Sequence, residues 1–166
     1  MSNTNGRDIC AAWRPFCSRF TVVSISDREI RHSTCVSVNG VGILIVGPSG
    51  SGKSTLAIKL IALGAFLVGD DRCLLIRDER GITVERPPNL PMGIEARGIG
   101  ILRAPMTDNA RLGLIVDLGK KETERLPEQQ TANIMGHDIA VFYDYKLDAF
   151  AQSLYIFARY GIVKDL

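Results

Sequence analysis

The string GPSGSGKST at residues 47–55 restricts this chain's fold more than any other stretch. From Gly47 to Ser54 it satisfies G-x-x-x-x-G-K-[ST], which works only as a turn between a buried strand and the first turn of a helix. The glycines let the backbone curl until successive N–H groups and the helix N-terminus face one point, where they hold phosphate. Both flanks fit. Val41 to Val46 is almost continuously apolar, as a strand buried on both faces is. After the loop, Leu56, Leu60 and Leu63 recur at helical spacing and Gly64 supplies a left-handed stop, which predicts a helix from about Ser54 to Leu63. The nucleotide-binding set is Gly47, Pro48, Ser49, Gly50, Ser51, Gly52, Lys53, Ser54 and Thr55. Lys53 is positioned for the β- and γ-phosphates and Ser54 for Mg²⁺, so ATP and Mg²⁺ are the expected cofactors.

Directly after that helix the chain reads AFLVGDD. Asp70 and Asp71 therefore close the very next strand at its carboxyl end, the side on which such sheets bind ligands, near the γ-phosphate. Adjacent residues on an extended segment point to opposite sides, so the two carboxylates divide two tasks. One orients Mg²⁺ or its water, and the other takes the proton of an attacking hydroxyl, made more basic by its neighbour's charge. The sequence leaves open which does which, and a solvated acidic turn with a metal role alone is the plainer alternative. A second group is GIEARGIGI, residues 93–101. If it is extended, Glu95 and Arg97 share a face, a metal-seeking carboxylate beside a phosphate-seeking guanidinium; the alternative is an exposed ion pair.

The remaining pattern predicts an α/β, P-loop-containing fold with a mixed central sheet. Residues 1–20, with Trp13 and Phe16, lack periodicity and read as a loose lead-in, and 21–166 as a single P-loop domain. FTVVSIS is a strand, TCVSVNGVGILIVG two strands around Asn39-Gly40, and CLLIRDERGITVE a hairpin turning at Asp78 to Gly81. RPPNLP is a loop, RLGLIVDL and DIAVFYDY are strands, and DAFAQSLYIFARYG is a helix from Asp148. Of the 166 residues 46% are hydrophobic and 23% charged, with a net charge of +2, which points to no nucleic-acid or membrane partner. No apolar run approaches the roughly eighteen residues of a membrane span, and no signal-peptide layout opens the chain, so a cytoplasmic location is expected. Cys10, Cys17, Cys35 and Cys73 form no CxxC pair, and His32 and His137 complete no metal-ligand spacing.

Four segments in this order, RHSTCV, GPSGSGKS, LVGDD and GIEARGIGI, resemble the catalytic domain of the bifunctional HPr kinase/phosphorylase, over about residues 30–160. The resemblance implies a P-loop arrangement related to that of phosphoenolpyruvate carboxykinase. It implies a kinase that uses ATP and Mg²⁺ to phosphorylate a serine of the phosphocarrier HPr, with a phosphorylase reaction in reverse, and a homo-oligomer, a hexamer in the family. It makes His32 an active-site histidine, Lys53 the phosphate-binding lysine and Ser54 a magnesium ligand. Asp70 and Asp71 supply the acid/base group, Glu95 becomes a second magnesium ligand, and Arg97 and Arg125, the latter in RLPEQ, become stabilisers of phosphate charge. Two departures stand out. The stretch before His32 is too short for the family's separate N-terminal domain, so the chain resembles the short proteobacterial form. Where full-length members carry a PVxPGRN-like stretch tied to the reverse reaction, this chain reads MGHDIAVFYDYKLDA.

Two rival readings are a small-molecule kinase and a non-catalytic ATP sensor. The arginines past Arg103, at 111, 125 and 159, are scattered instead of clustered in a lid, which speaks against the first. The acids at 70, 71 and 95 exceed what binding alone needs, which speaks against the second.

Overall fold

A computed structural model describes residues 27–163. The predicted lead-in 1–20 and the FTVVSIS strand lie outside the described residues.

The described residues open with β1 (Arg28–Arg31), β2 (Thr34–Val38) and β3 (Val41–Val46), then α1 (Lys53–Ala62) and β4 (Phe66–Gly69). There follow β5 (Cys73–Asp78), β6 (Gly81–Glu85), the short pair β7 (Ile94–Ala96) and β8 (Gly100–Leu102), and the long β9 (Asn109–Lys121). They end with β10 (Gln130–Ile134), β11 (His137–Asp144) and α2 (Phe150–Tyr160). The predicted helices, hairpins and sheet type are present, with α1 starting one residue early and α2 two residues late. No side-chain cap forms at the start of α2, so Asp148 does not begin it. Strands β1, β8 and β10 carried no strand signal of their own.

The main sheet runs β1-β5-β6-β9-β3-β2-β4, with β11 paired to β9 and β10 to β11. Strand β3 is parallel to β9, and β9 to β11, while the remaining pairs are antiparallel, so the sheet is mixed. Strand β2 returns from β3 through Asn39 (φ 51°) and Gly40 (φ 83°), the two left-handed residues that a tight hairpin turn with the sheet's own twist requires. Because β4 then pairs antiparallel with β2, it runs in the same direction as β3. That double reversal is what brings the end of β4, and the aspartates after it, to the sheet edge that carries the phosphate loop.

Helices α1 and α2 cover one face, burying Leu56, Leu60, Leu114, Val116 and Leu154 between them and the sheet. On the other face no helix packs among the described residues, and the sheet rolls on itself, with Cys35, Leu44, Val68, Leu75, Ile82, Val84 and Ile115 in one cluster. The roll is tight: a Cβ on Gly69 of edge strand β4 would stand 3.7 Å from the Cα of Arg86, just past β6. Arg111 on β9 fastens the β5–β6 hairpin through two 2.8 Å bonds to Asp78, and its guanidinium holds that carboxyl well below the usual carboxylate range. Among the described residues no helix is long and apolar enough to cross a membrane.

Leu60 is fully buried where α1 meets the sheet. Leu60→Ala leaves a cavity there, and the expected loss is about 2–5 kcal/mol of unfolding free energy. Chemical denaturation checks it: the midpoint falls while the slope of the transition stays the same.

Candidate active site

The loop that leaves β3 is bent by three glycines, and the tightest position is Gly47. At φ 144° a Cβ there would stand 2.8 Å from the Ser51 hydroxyl, so only glycine lets the loop close. Helix α1 begins after Gly52 (φ 97°) with neither a side-chain cap nor an acidic residue in its first turn. Its leading N–H groups and the positive end of its dipole stay available to an anion. Lys53 is 7% exposed, and its Nζ donates to the carbonyls of Gly47 and Pro48 at 3.0 and 3.1 Å, so the ammonium is held over the mouth of the loop. Among the described residues, Ser51 Oγ is the one buried side-chain polar atom with no partner. A donor-rich cradle with a hydroxyl still unmatched suits an oxygen-rich anion such as a polyphosphate.

Strand β4 ends at Gly69, and the two aspartates that follow separate completely. Asp70 turns toward the loop: Oδ1 accepts from Ser54 Oγ (3.1 Å) and from Thr34 Oγ1 (2.7 Å), and Oδ2 accepts from the Glu95 backbone N–H (3.2 Å). Asp71 takes a left-handed backbone, φ 66°, and its exposed side chain stands in the cleft. Its carbonyl accepts from the Ser33 N–H (3.2 Å) and from His32 Nδ1 (2.8 Å). A carbonyl oxygen only accepts, so the proton of the neutral imidazole sits on Nδ1 and Nε2 keeps its lone pair.

The β7–β8 hairpin folds over the start of α1 and supplies the remaining wall. Glu95 lies on β7, while Arg97 begins the turn into β8, so the expectation that both sit on one extended face is corrected. They reach the same cleft because the chain turns there. The Arg97 guanidinium comes within 3.9 Å of the position a Gly50 Cβ would take. The cleft holds about 200 Å³, and His32, Lys53, Ser54, Asp71, Glu95 and Arg97 all line it. Arg125 is not brought there. It lies on the exposed stretch 123–129 between β9 and β10, away from the cleft lining.

Thr34 is a site residue that sequence reasoning missed. It fixes the Asp70 carboxylate, yet as a buried residue of β2 it reads simply as part of a strand. Among the described residues no three acidic, His or Cys side chains converge closely enough to hold a metal ion by themselves. The Ser54 hydroxyl and the Glu95 carboxylate, with the Asp70 carboxylate bonded behind Ser54, are oxygen ligands of the kind Mg²⁺ takes when phosphate oxygens complete its shell.

Cys35, next to Thr34 on β2, and Cys73, whose thiol donates to the Ser33 carbonyl, are both fully buried. Burial pushes the Cys73 thiol up to about 11 and raises Cys35 well above its ordinary value. Both are therefore protonated at neutral pH and poor nucleophiles. Iodoacetamide at pH 8 is expected to leave the peptides carrying Cys35 and Cys73 unlabelled in the native protein and to label both after denaturation, as read by mass.

Loop, helix and rolled sheet make this a P-loop α/β protein with an acid pair beside the loop. The HPr Serine kinase C-terminal domain family matches residues 23–143. An HPr kinase/phosphorylase of Acidovorax sp. (strain JS42) is 41% identical over 125 residues, which are 67% of this chain and 39% of that protein. The HPr kinase/phosphorylase of Lactobacillus delbrueckii subsp. bulgaricus is 31% identical over 130 residues, 71% of this chain and 41% of that one. A solved structure, the HPr(Ser) kinase/phosphatase from Coxiella burnetii, superposes with a TM-score of 0.65 at 21% identity, covering 79% of this chain and 94% of that one, a likeness of fold. The chain belongs to the HPr Serine kinase C-terminal domain family. It matches about two fifths of the length of these relatives.

Proposed function

We propose that the chain is a kinase that transfers the γ-phosphoryl group of ATP to a serine of an HPr-like phosphocarrier. The observation that carries this is the split of the aspartates: Asp70 bonded to Ser54, and Asp71 free in a cleft with Lys53, Glu95 and Arg97. A binding module needs the first; only a transfer reaction needs the second.

ATP supplies the phosphoryl group and Mg²⁺ neutralises charge on it. The loop and Lys53 would hold the β- and γ-phosphates, and Ser54 and Glu95 would hold the metal, with Asp70 orienting the Ser54 hydroxyl. Asp71 accepts the proton of the carrier's serine as the serine oxygen bonds to the γ-phosphorus and the bond to the β–γ bridging oxygen breaks, releasing ADP. His32, fixed by the Asp71 carbonyl, holds the turn that presents this carboxylate. Arg97 meets the charge on the equatorial oxygens. The chain's work is positioning and charge stabilisation, since the transferred group needs little covalent help. Arg125 has a role only if a carrier or a second copy brings its loop to the cleft. Exposed Ile156 and Tyr160 on α2 give a homo-oligomer an apolar surface to use. With an HPr-like carrier as its substrate, the kinase would act in the cytoplasm as an enzyme of the phosphotransferase system.

The test is the purified chain with Mg-ATP and an HPr-like carrier, read by mass for one phosphate on serine. An unmodified carrier beside measurable ATP binding overturns the reading in favour of a nucleotide sensor. In the same assay, phosphoserine carrier with orthophosphate yields pyrophosphate if the reverse reaction operates.

A further inference from the structure

At the end of the sheet opposite the phosphate loop lies a groove of about 280 Å³ that the proposed reaction does not touch. The Asn39-Gly40 turn, Gly64 after α1 and residues 106–109 border it, with Ser37 of β2 and Phe66 of β4 between them. The turn precedes β3 and the loop follows it, so this six-residue strand sets the two places roughly 20 Å apart. The groove and the catalytic cleft share no residue. Their chemistry differs as well. Lys53, Asp71, Glu95 and Arg97 line the cleft, whereas no charged residue lines the groove among the described residues. An ionised ligand, a phosphorylated one included, finds no counter-charge there.

What the groove offers is hydroxyls, amides and one ring. Ser37 is 4% exposed, and its hydroxyl makes no hydrogen bond among the described residues, an unmet polar group that a ligand hydroxyl would satisfy. The side-chain amides of Asn39 and Asn109 are likewise unbonded among the described residues, and each carries a donor and an acceptor. Thr107 Oγ1 donates to the Asn109 carbonyl at 3.3 Å and keeps its lone pairs to accept. Directly across the β2–β4 ladder from Ser37 stands Phe66, so the two side chains share a face. Phe66 is 49% exposed while the three residues after it in β4 are buried. We propose that this groove binds a small neutral sugar, a pyranose whose C–H face lies on the Phe66 ring and whose hydroxyls meet Ser37, Asn39, Thr107 and Asn109. The negative face of an aromatic ring attracts the weakly positive C–H edge of a sugar, and a side-chain amide donates to one hydroxyl while accepting from its neighbour. A purely apolar ligand would leave Ser37 unmet. The volume falls just below the roughly 300–1,000 Å³ of drug-sized pockets, which suits a single ring. Such a site is independent of the kinase reading.

Methyl β-D-glucopyranoside is the probe, because its ring hydrogens form a flat apolar face and it carries no charge; glycerol, with hydroxyls and no ring, is the control. Saturation-transfer NMR on the full chain is expected to show transfer to the ring hydrogens of the glucoside and none to glycerol. A dissociation constant in the millimolar range is expected, the scale for a ligand of about a dozen non-hydrogen atoms. The thermal midpoint of the parent should rise with glucoside concentration, as it does for any ligand of the native state. Phe66→Ala is expected to weaken binding about tenfold or more, and Ser37→Ala about threefold. Asn109 is exposed and leads β9, so Asn109→Ala tests the site without disturbing the core should either of those variants fail to fold. Added Mg-ATP is expected to leave the signal in place. The proposal is overturned if the glucoside receives no saturation, if glycerol receives as much, if folded Phe66→Ala and Asn109→Ala bind as the parent does, or if Mg-ATP abolishes the signal, which would put the sugar in the nucleotide cradle. It is overturned too if the glucoside does not bind and Phe66→Ala changes the oligomeric state by light scattering, which makes the groove a contact between copies of the chain.

Discussion

Lys53→Ala is expected to reduce phosphoryl transfer to the carrier by about 10³-fold or more, the scale seen when a preorganised charge is removed from a developing anion. The size follows from where the ammonium is. It is 7% exposed and held by two loop carbonyls, so it faces phosphate in a place that water screens poorly. Folding is expected to survive, because alanine suits the first turn of α1 and the two carbonyls lie on a surface loop. Lys53→Arg is not a rescue: the planar guanidinium cannot take the position of a compact ammonium between the Gly47 and Pro48 carbonyls. The measurement is initial rate by mass spectrometry, with far-UV circular dichroism and the thermal midpoint as controls. Transfer within tenfold of the parent in a folded Lys53→Ala would remove the loop from the mechanism.

The cradle was legible in the sequence because its constraints are local. Glycine at 47, the apolar run before it and the helical spacing after it all act within a few residues, and the Asn39-Gly40 turn is equally local. The two aspartates do point apart, for a partly different reason. Alternation along an extended strand suggested that Asp70 and Asp71 point apart, but the strand stops at Gly69, and the left-handed backbone of Asp71 does the separating. What was not legible depends on contacts between distant residues. Thr34 reaches Asp70, and His32 reaches the Asp71 carbonyl, across 36 and 39 positions respectively, with no local pattern to announce either. Arg125 came only from resemblance, and nothing in its exposed loop directs it to the cleft. Strands β1 and β10 form because neighbouring strands offer them an edge: Arg28–Arg31 is largely polar and Gln130–Ile134 mixed, and neither announces itself by alternation.

The same geometry makes the two aspartates distinguishable by experiment. Asp71→Asn keeps the size of a side chain that has no structural bond of its own, while the backbone carbonyl that holds His32 is untouched. Its amide cannot accept the serine proton, so kcat is expected to fall by about 10²–10⁴, the usual contribution of a positioned base. The concentration of Mg²⁺ giving half-maximal rate should stay where it is. Asp70→Asn has the opposite character. The carboxylate bridges Thr34, Ser54 and the Glu95 backbone, and an amide there both loses a negative charge beside the metal and points an N–H at groups that already donate. The half-maximal Mg²⁺ concentration is expected to rise at least tenfold, a weakening of about 1.4 kcal/mol, with part of the rate restored at saturating metal. Titrating Mg²⁺ at fixed ATP in both variants separates the two: one curve drops in height and the other moves along the concentration axis. If the phenotypes are exchanged, Asp70 is the base and the contact with Ser54 is its resting position. If both variants retain full transfer at saturating Mg²⁺, neither carboxylate takes the proton and the kinase mechanism loses its base.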